Sequence, residues 1–161
     1  MQFLYKEDLT KTQTYEFLLQ QVTALLAAET DPVANMANVS AVLFNGLAQL
    51  NWAGFYVWRN GELVLGPFQG KPACVRIALG RGVCGTAAQT GHTQRVENVH
   101  EFKGHIACDS ASNSEIVVPL FKDGKIWGVL DIDSPVLARF DEVDQQYLEK
   151  VAHVFEEKSA L

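Results

Sequence analysis

The chain has 161 residues, 48% of them apolar and 20% charged, a size that suits one compact domain over 1–161 with a core large enough to need no disulfide or metal staple. Lysine and arginine number 13 against 19 acidic residues, giving a formal charge of −6 spread along the chain, so a phosphate-backbone binder is not expected and no nucleic-acid partner is assigned. No apolar stretch reaches the length of a bilayer span, and the first eight residues lack both the basic and the apolar region of a leader, so the expectation is a soluble cytoplasmic protein with no membrane partner.

In chain order, Leu18, Val22, Leu25 and Leu26 recur at helical spacing and predict an amphipathic helix over 15–28. Asp31 followed by Pro32 is a cap and first-turn pair, since the carboxylate accepts orphan N–H groups and proline has none to lose. It opens a second helix with Val33, Met36, Ser40, Leu43, Phe44 and Leu47 on the buried side. From Trp52 the pattern becomes strand. Apolar runs at 54–58 and 63–65 flank Asn60-Gly61, a type I′ turn signal, and Gly66-Pro67 closes the second run. A third strand over 73–79, a short helix over 83–90 capped by Gly91 and a strand over 94–99 follow. Residues 100–115 are polar and aperiodic, which in a compact domain marks a functional loop. Strands over 116–121 and 126–132 turn about Asp123-Gly124. Asp141, with Asp144 three residues on, opens a last helix carrying Val143, Leu148, Val151 and Phe155. The order predicts an α+β fold, with an antiparallel sheet of about six strands flanked by N-terminal and C-terminal helices.

Three cysteines is an odd number, which fits a reducing compartment better than a secreted disulfide scaffold. Cys108 lies in the polar loop, where nearby cations or N–H groups can activate a thiol, the lesser alternative being a surface-loop cysteine without a role. Cys84 falls at the start of the short helix, whose dipole favours a thiolate, or else packs as a small core residue between glycines. Cys74 sits in a strand pattern, where a buried, inert thiol is the ordinary expectation. Four histidines accompany these thiols, but no Cys-x-x-Cys pair occurs and His105-x-x-Cys108 stands alone. No metal site and no cofactor are therefore expected. Asp131 and Asp133, two apart on a strand, share a face, and the Asp123-Gly124 turn brings Glu115 to the same end of the sheet. Burial or mutual repulsion can keep one of the three protonated as an acid, while a solvated strand end is the plainer alternative. Trp52, Phe55, Tyr56 and Trp58 divide between the two faces of the first strand. Most such residues are core, but an apolar wall facing carboxylates suits a cationic or zwitterionic ligand.

Several separated motifs say more than spacing. Asn51-Trp52-Ala53-Gly54-Phe55-Tyr56, Leu65-Gly66-Pro67-Phe68-Gln69-Gly70-Lys71, Ala73-Cys74-Val75-Arg76-Ile77 and Gly80-Arg81-Gly82-Val83-Cys84-Gly85-Thr86 are four of them. Gly104-His105-Ile106-Ala107-Cys108-Asp109, Ser112-Asn113-Ser114-Glu115-Ile116-Val117 and Gly128-Val129-Leu130-Asp131-Ile132-Asp133-Ser134 complete the set. Together they resemble the free methionine-(R)-sulfoxide reductases, stand-alone GAF-domain enzymes. The resemblance implies a GAF-like fold and reduction of free methionine-(R)-sulfoxide, with peptide-bound sulfoxide left untouched. Carried over by position, Cys108 matches the attacking cysteine, Cys74 the resolving cysteine and Cys84 an accessory one. Trp52 and Tyr56 match an aromatic wall, and Glu115, Asp131 and Asp133 match acidic residues that meet the substrate. A neutral Glu115 or Asp133 would protonate the leaving oxygen. Cys108 would become a sulfenic acid that Cys74 converts to a disulfide, and thioredoxin would reduce it. The resemblance also makes a homodimer plausible. The rival reading is a GAF small-molecule sensor without catalysis, which would ordinarily be joined to an output domain for which this chain leaves no room.

Overall fold

The computed structural model describes residues 9–106, 108 and 110–161. Residues 1–8, and Ala107 and Asp109 of the loop motif, lie outside the described residues. In chain order come α1 (Lys11–Leu26), α2 (Pro32–Gly46), β1 (Trp52–Arg59), β2 (Glu62–Gly70), β3 (Arg76–Ala78) and α3 (Gly82–Thr90). Then follow β4 (Gln94–Val96), a 3₁₀ turn (Val99–Glu101), β5 (Ser114–Lys122), β6 (Lys125–Ser134) and α4 (Glu142–Lys158). The strands form one sheet in the order β3-β2-β1-β6-β5-β4, with every pairing antiparallel. The α+β architecture expected from the sequence is the one found.

Local chemistry sets the element ends. Thr10 Oγ1 accepts from the Gln13 N–H at 3.2 Å while Gln13 Oε1 accepts from the Thr10 N–H at 3.0 Å, a reciprocal cap that starts α1 four residues before the expected position 15. Asp31 Oδ1 accepts from the Ala34 N–H at 2.9 Å, with Pro32 in the first turn as expected. Val33, assigned to the buried side of α2, is 54% exposed. Helical phase aligns it with Ser40, but periodicity does not say where the layer beneath a helix stops. Both hairpins turn as predicted, with positive φ at Asn60 and Gly61 and at Asp123 and Gly124.

β1, β5 and β6 extend the expected strands by one or two residues at their ends, and three others depart further. β2 does not close at Gly66-Pro67 but continues to Gly70 through a bulge. Gly54 opposes Phe68 while Tyr56 opposes Leu65, so Phe55 faces two residues, and the missing proline N–H falls where β3 no longer pairs. The third strand is only Arg76–Ala78, which leaves Cys74 in irregular chain. β4 ends at Val96 because Asn98 Oδ1 accepts from the His100 N–H at 3.1 Å and starts the 3₁₀ turn instead.

The two faces of the sheet are built differently. Ala53, Phe55, Val57, Ile116, Val118, Leu130 and Ile132 face the layer of α2 and α4, on which α1 packs, and make the main core with Tyr15, Val22, Leu43, Leu148, Val151 and Phe155. The opposite face carries Tyr56, Val117 and Val129, packed with Val83, Ala87 and Ala88 of the short α3. Strand alternation puts Trp52, Glu115, Asp131 and Asp133 on this second face. At the far end of the main core, the fully buried Asp144 accepts from Tyr15 Oη at 2.5 Å, Lys11 Nζ at 2.5 Å, Arg139 Nη1 at 3.1 Å and the Asp141 N–H at 2.8 Å. This carboxylate pins α1 and the β6–α4 connection to α4.

Candidate active site

The register fixes the acidic group. Asp133 pairs with Trp52 on one side and Glu115 on the other, and Asp131 pairs with Gly54 and Val117 one row along. Gly54 leaves the space between Trp52 and Tyr56 unfilled by a side chain. A Cβ there would stand 2.7 Å from Phe68 Cα and 2.9 Å from a Trp52 ring carbon. The Trp52 ring instead stacks against Phe68, with centroids 5.1 Å apart, and against Tyr56 at 6.0 Å.

The polar ends of these two aromatics reach outward to the segment after β2. Trp52 Nε1 donates to the Lys71 carbonyl at 3.2 Å and Tyr56 Oη donates to the Cys74 carbonyl at 2.8 Å. Leu65 N–H donates to the Val75 carbonyl at 2.8 Å. The expectation of an inert thiol in a strand is corrected here: Cys74 is half-buried, irregular in backbone and disulfide-bonded to Cys108, with Cα atoms 5.5 Å apart and 34 residues between them. The long loop does fold back. Its ends are held by the Val99 N–H to Asn113 carbonyl bond at 2.9 Å, the Asn113 N–H to Ser134 carbonyl bond at 2.8 Å and the Gly82 N–H to Gly104 carbonyl bond at 3.1 Å.

Between this disulfide, α3 and the sheet lies a cavity with about 530 Å³ of unfilled space, counting its mouth. Trp52, Tyr56, Cys84, Cys108, Glu115, Asp131 and Asp133 all line it, and Cys74 joins it through the disulfide. Sequence reasoning missed Arg81, His105 and Ser112, which line it as well. Arg81 and Ser112 have no spacing signal of their own. The spacing of His105 to Cys108 suggests at most a metal ligand.

The electrostatics favour protonated groups. Burial, reinforced by Asp131 and Asp133, pushes the Glu115 carboxyl well above the ordinary carboxylate range, and Glu115 is only 7% exposed. Burial also raises Asp131, partly offset by hydrogen bonds with Glu115 and Cys84. Asp131 Oδ1 is buried without a hydrogen-bond partner. Burial first, then the carboxylates, push the Cys84 thiol well up, so the helix dipole does not prevail there and the group stays a thiol. Its Sγ lies 3.9 Å from Glu115 Oε1. Burial also raises Tyr56, and burial together with His100 lowers His105. The site thus joins a disulfide-bonded pair of sulfurs, a buried carboxyl pushed toward its protonated form, further carboxylates and an aromatic wall.

The pattern of the GAF domain matches residues 18–157. Free methionine-R-sulfoxide reductase of Escherichia coli is 55% identical over 143 residues, covering 89% of this chain and 87% of that protein. Protein YtsP of Bacillus subtilis is 56% identical over 157 residues, 96% of each chain. Among solved structures, free methionine-R-sulfoxide reductase from Neisseria meningitidis in complex with its substrate superposes with a TM-score of 0.93 at 48% identity, covering 98% of this chain and 95% of that one.

Proposed function

Because this chain belongs to the GAF-domain family and, within it, to the free methionine-R-sulfoxide reductases, we propose that it reduces the R epimer of free methionine sulfoxide to methionine in the cavity between the sheet and α3. The observation that carries this reading is the Cys74–Cys108 disulfide closing a cavity that also holds the buried Glu115 carboxyl, which burial pushes toward its protonated form.

The cycle starts once the disulfide is reduced. The Cys108 thiolate attacks the sulfoxide sulfur, Glu115 gives its proton to the oxygen, and the hydroxyl passes to Cys108 as a sulfenic acid while methionine leaves. Cys74 then condenses with the sulfenic acid, forming the disulfide and releasing water. A thioredoxin-type dithiol returns both sulfurs to thiols and is itself oxidised to a disulfide. In this reading Asp131 and Asp133 hold the α-ammonium of the amino acid, Arg81 at the cavity mouth meets its carboxylate, and Trp52 and Tyr56 enclose its apolar chain. Cys84 takes no covalent part. A residue inside a peptide has no ammonium to offer Asp131, which leaves that buried oxygen unpartnered and gives the selectivity for the free amino acid.

The test is an epimer-resolved turnover assay with dithiothreitol or thioredoxin as reductant. Consumption of the free R epimer alone is expected. Turnover of neither epimer refutes the reading, and equal activity on a sulfoxide-containing peptide refutes the selectivity argument.

A further inference from the structure

Cys84, Glu115 and Asp131 come from three different elements, α3, β5 and β6, and one ligating atom of each lies within 4.8 Å of the other two. All three residues are buried, at 4%, 7% and 5% exposure. A second observation points to a ligand: Asp131 Oδ1, on a residue that lines the cavity, has no hydrogen-bond partner. Tetrahedral zinc with a Zn–S bond of about 2.3 Å and a Zn–O bond of about 2.0 Å sets its sulfur and oxygen about 3.5 Å apart. Cys84 Sγ and Glu115 Oε1 are 3.9 Å apart, so seating a cation requires only a small inward adjustment of the pair.

We propose that, beyond its reductase chemistry, the protein binds one thiophilic divalent cation, Zn²⁺ as the biological ion, through Cys84 Sγ, a Glu115 oxygen and an Asp131 oxygen. The fourth position opens to the cavity. Cys84 loses its thiol proton and Glu115 its carboxyl proton to the medium as the metal–sulfur and metal–oxygen bonds form, and no redox step is involved. A thiolate in the set selects zinc, cobalt or cadmium over magnesium and calcium. The cation takes the place of the substrate contacts at Glu115 and Asp131, so it is an inhibitor of this site. Sequence spacing could not show it, because one thiol and two carboxylates on three elements form no local motif.

The test uses the oxidised protein. With Cys74 and Cys108 bonded to each other, Cys84 is the one thiol left of three, so any cobalt–thiolate charge-transfer band reports it alone. Titration of Co²⁺ without reductant is expected to give that band at one ion per chain, erased by Zn²⁺ and unaffected by Mg²⁺. It is lost in Cys84→Ser and weakened about tenfold or more in Asp131→Asn, the scale on which even outer-shell partners of a metal act. No band in the wild type, a band persisting in Cys84→Ser, or displacement by Mg²⁺ overturns the proposal. Should Cys84→Ser not fold, unchanged Co²⁺ affinity in Asp131→Asn and Glu115→Gln overturns it equally. None of these readouts needs turnover, so they stand apart from the test of the reductase reading.

Discussion

Glu115→Gln separates the acid from its surroundings. Glutamine has the size and charge of the protonated carboxyl that burial, Asp131 and Asp133 hold in place, so the cavity packing and the Cys84 contact at 3.9 Å lose little. What disappears is a transferable proton. General-acid catalysis is worth about 10² to 10⁴ in rate, or about 3 to 5 kcal/mol at 1.36 kcal/mol per decade. That is the loss expected in the chemical step, with substrate affinity nearly unchanged. The assay is a single turnover: pre-reduced protein is mixed with excess free methionine-R-sulfoxide and methionine per chain is followed in time, so recycling does not enter. The pH profile supplies a second readout. The wild-type step needs Glu115 protonated and therefore slows as pH rises through its elevated pKa, a limb that Glu115→Gln should lack. If the variant stays within about tenfold of wild type and keeps the alkaline limb, Glu115 is not the acid and Asp133 takes its place.

The same substitution should stabilise the fold. Above about pH 4.5, the ordinary glutamate value, an unfolded chain releases a proton that folded Glu115 retains, so wild-type stability falls as pH rises through this window. Thermal melts across pH should show Glu115→Gln gaining on the wild type as pH increases, and parallel curves would contradict the linkage. Cys108→Ser should release no methionine at all, whereas Cys74→Ser should release one per chain and leave a sulfenic acid that a dimedone probe captures in mass spectrometry. Asp144→Ala removes the shared acceptor of Tyr15, Lys11, Arg139 and the Asp141 N–H. With Arg139 only 10% exposed, the loss should be about 3 to 5 kcal/mol, measured as a lowered urea midpoint with the reductase rate per folded molecule preserved.

The elements that were legible in the sequence are those whose signal is local. Asn60-Gly61 and Asp123-Gly124 set their own positive φ values, and the alternation around them fixed which face Glu115, Asp131 and Asp133 share. Asp31-Pro32 and Asp141 carry their helix starts in the cap itself. Where tertiary pairing decides, local reading fell short. Gly66-Pro67 looks like a strand end but is absorbed by a bulge, because β1 supplies a partner on both sides of it. The segment about Cys74 alternates like a strand, yet only three residues find a partner strand, and the Tyr56 hydroxyl and the disulfide hold the rest. His105 and Ser112 enter the cavity through the closure of a loop, and Arg81 through the packing of the α3 start against it, neither of which periodicity encodes.

The uneven layering of the sheet explains how such a site is tolerated. One face is covered by α2 and α4, with α1 packed on both, and a continuous apolar core, and each large side chain buried there contributes about 1.5 to 3 kcal/mol. The other face, under the short α3, can therefore carry the Glu115 and Asp131 carboxyls in burial that is costly for both, beside the Cys84 thiol. The aromatic wall adds a further coupling. Trp52 and Tyr56 line the cavity and hold Lys71 and Cys74 with their polar ends, so the surface proposed to enclose substrate also fixes where Cys74, the proposed resolving residue, is held. Tyr56→Phe keeps the ring and removes a 2.8 Å hydrogen bond, whose net worth is about 0.5 to 1.5 kcal/mol. It should leave the single turnover near wild type while slowing disulfide closure. Substitution of the whole ring by alanine should impair both steps, because substrate and thiol would then lose one support together.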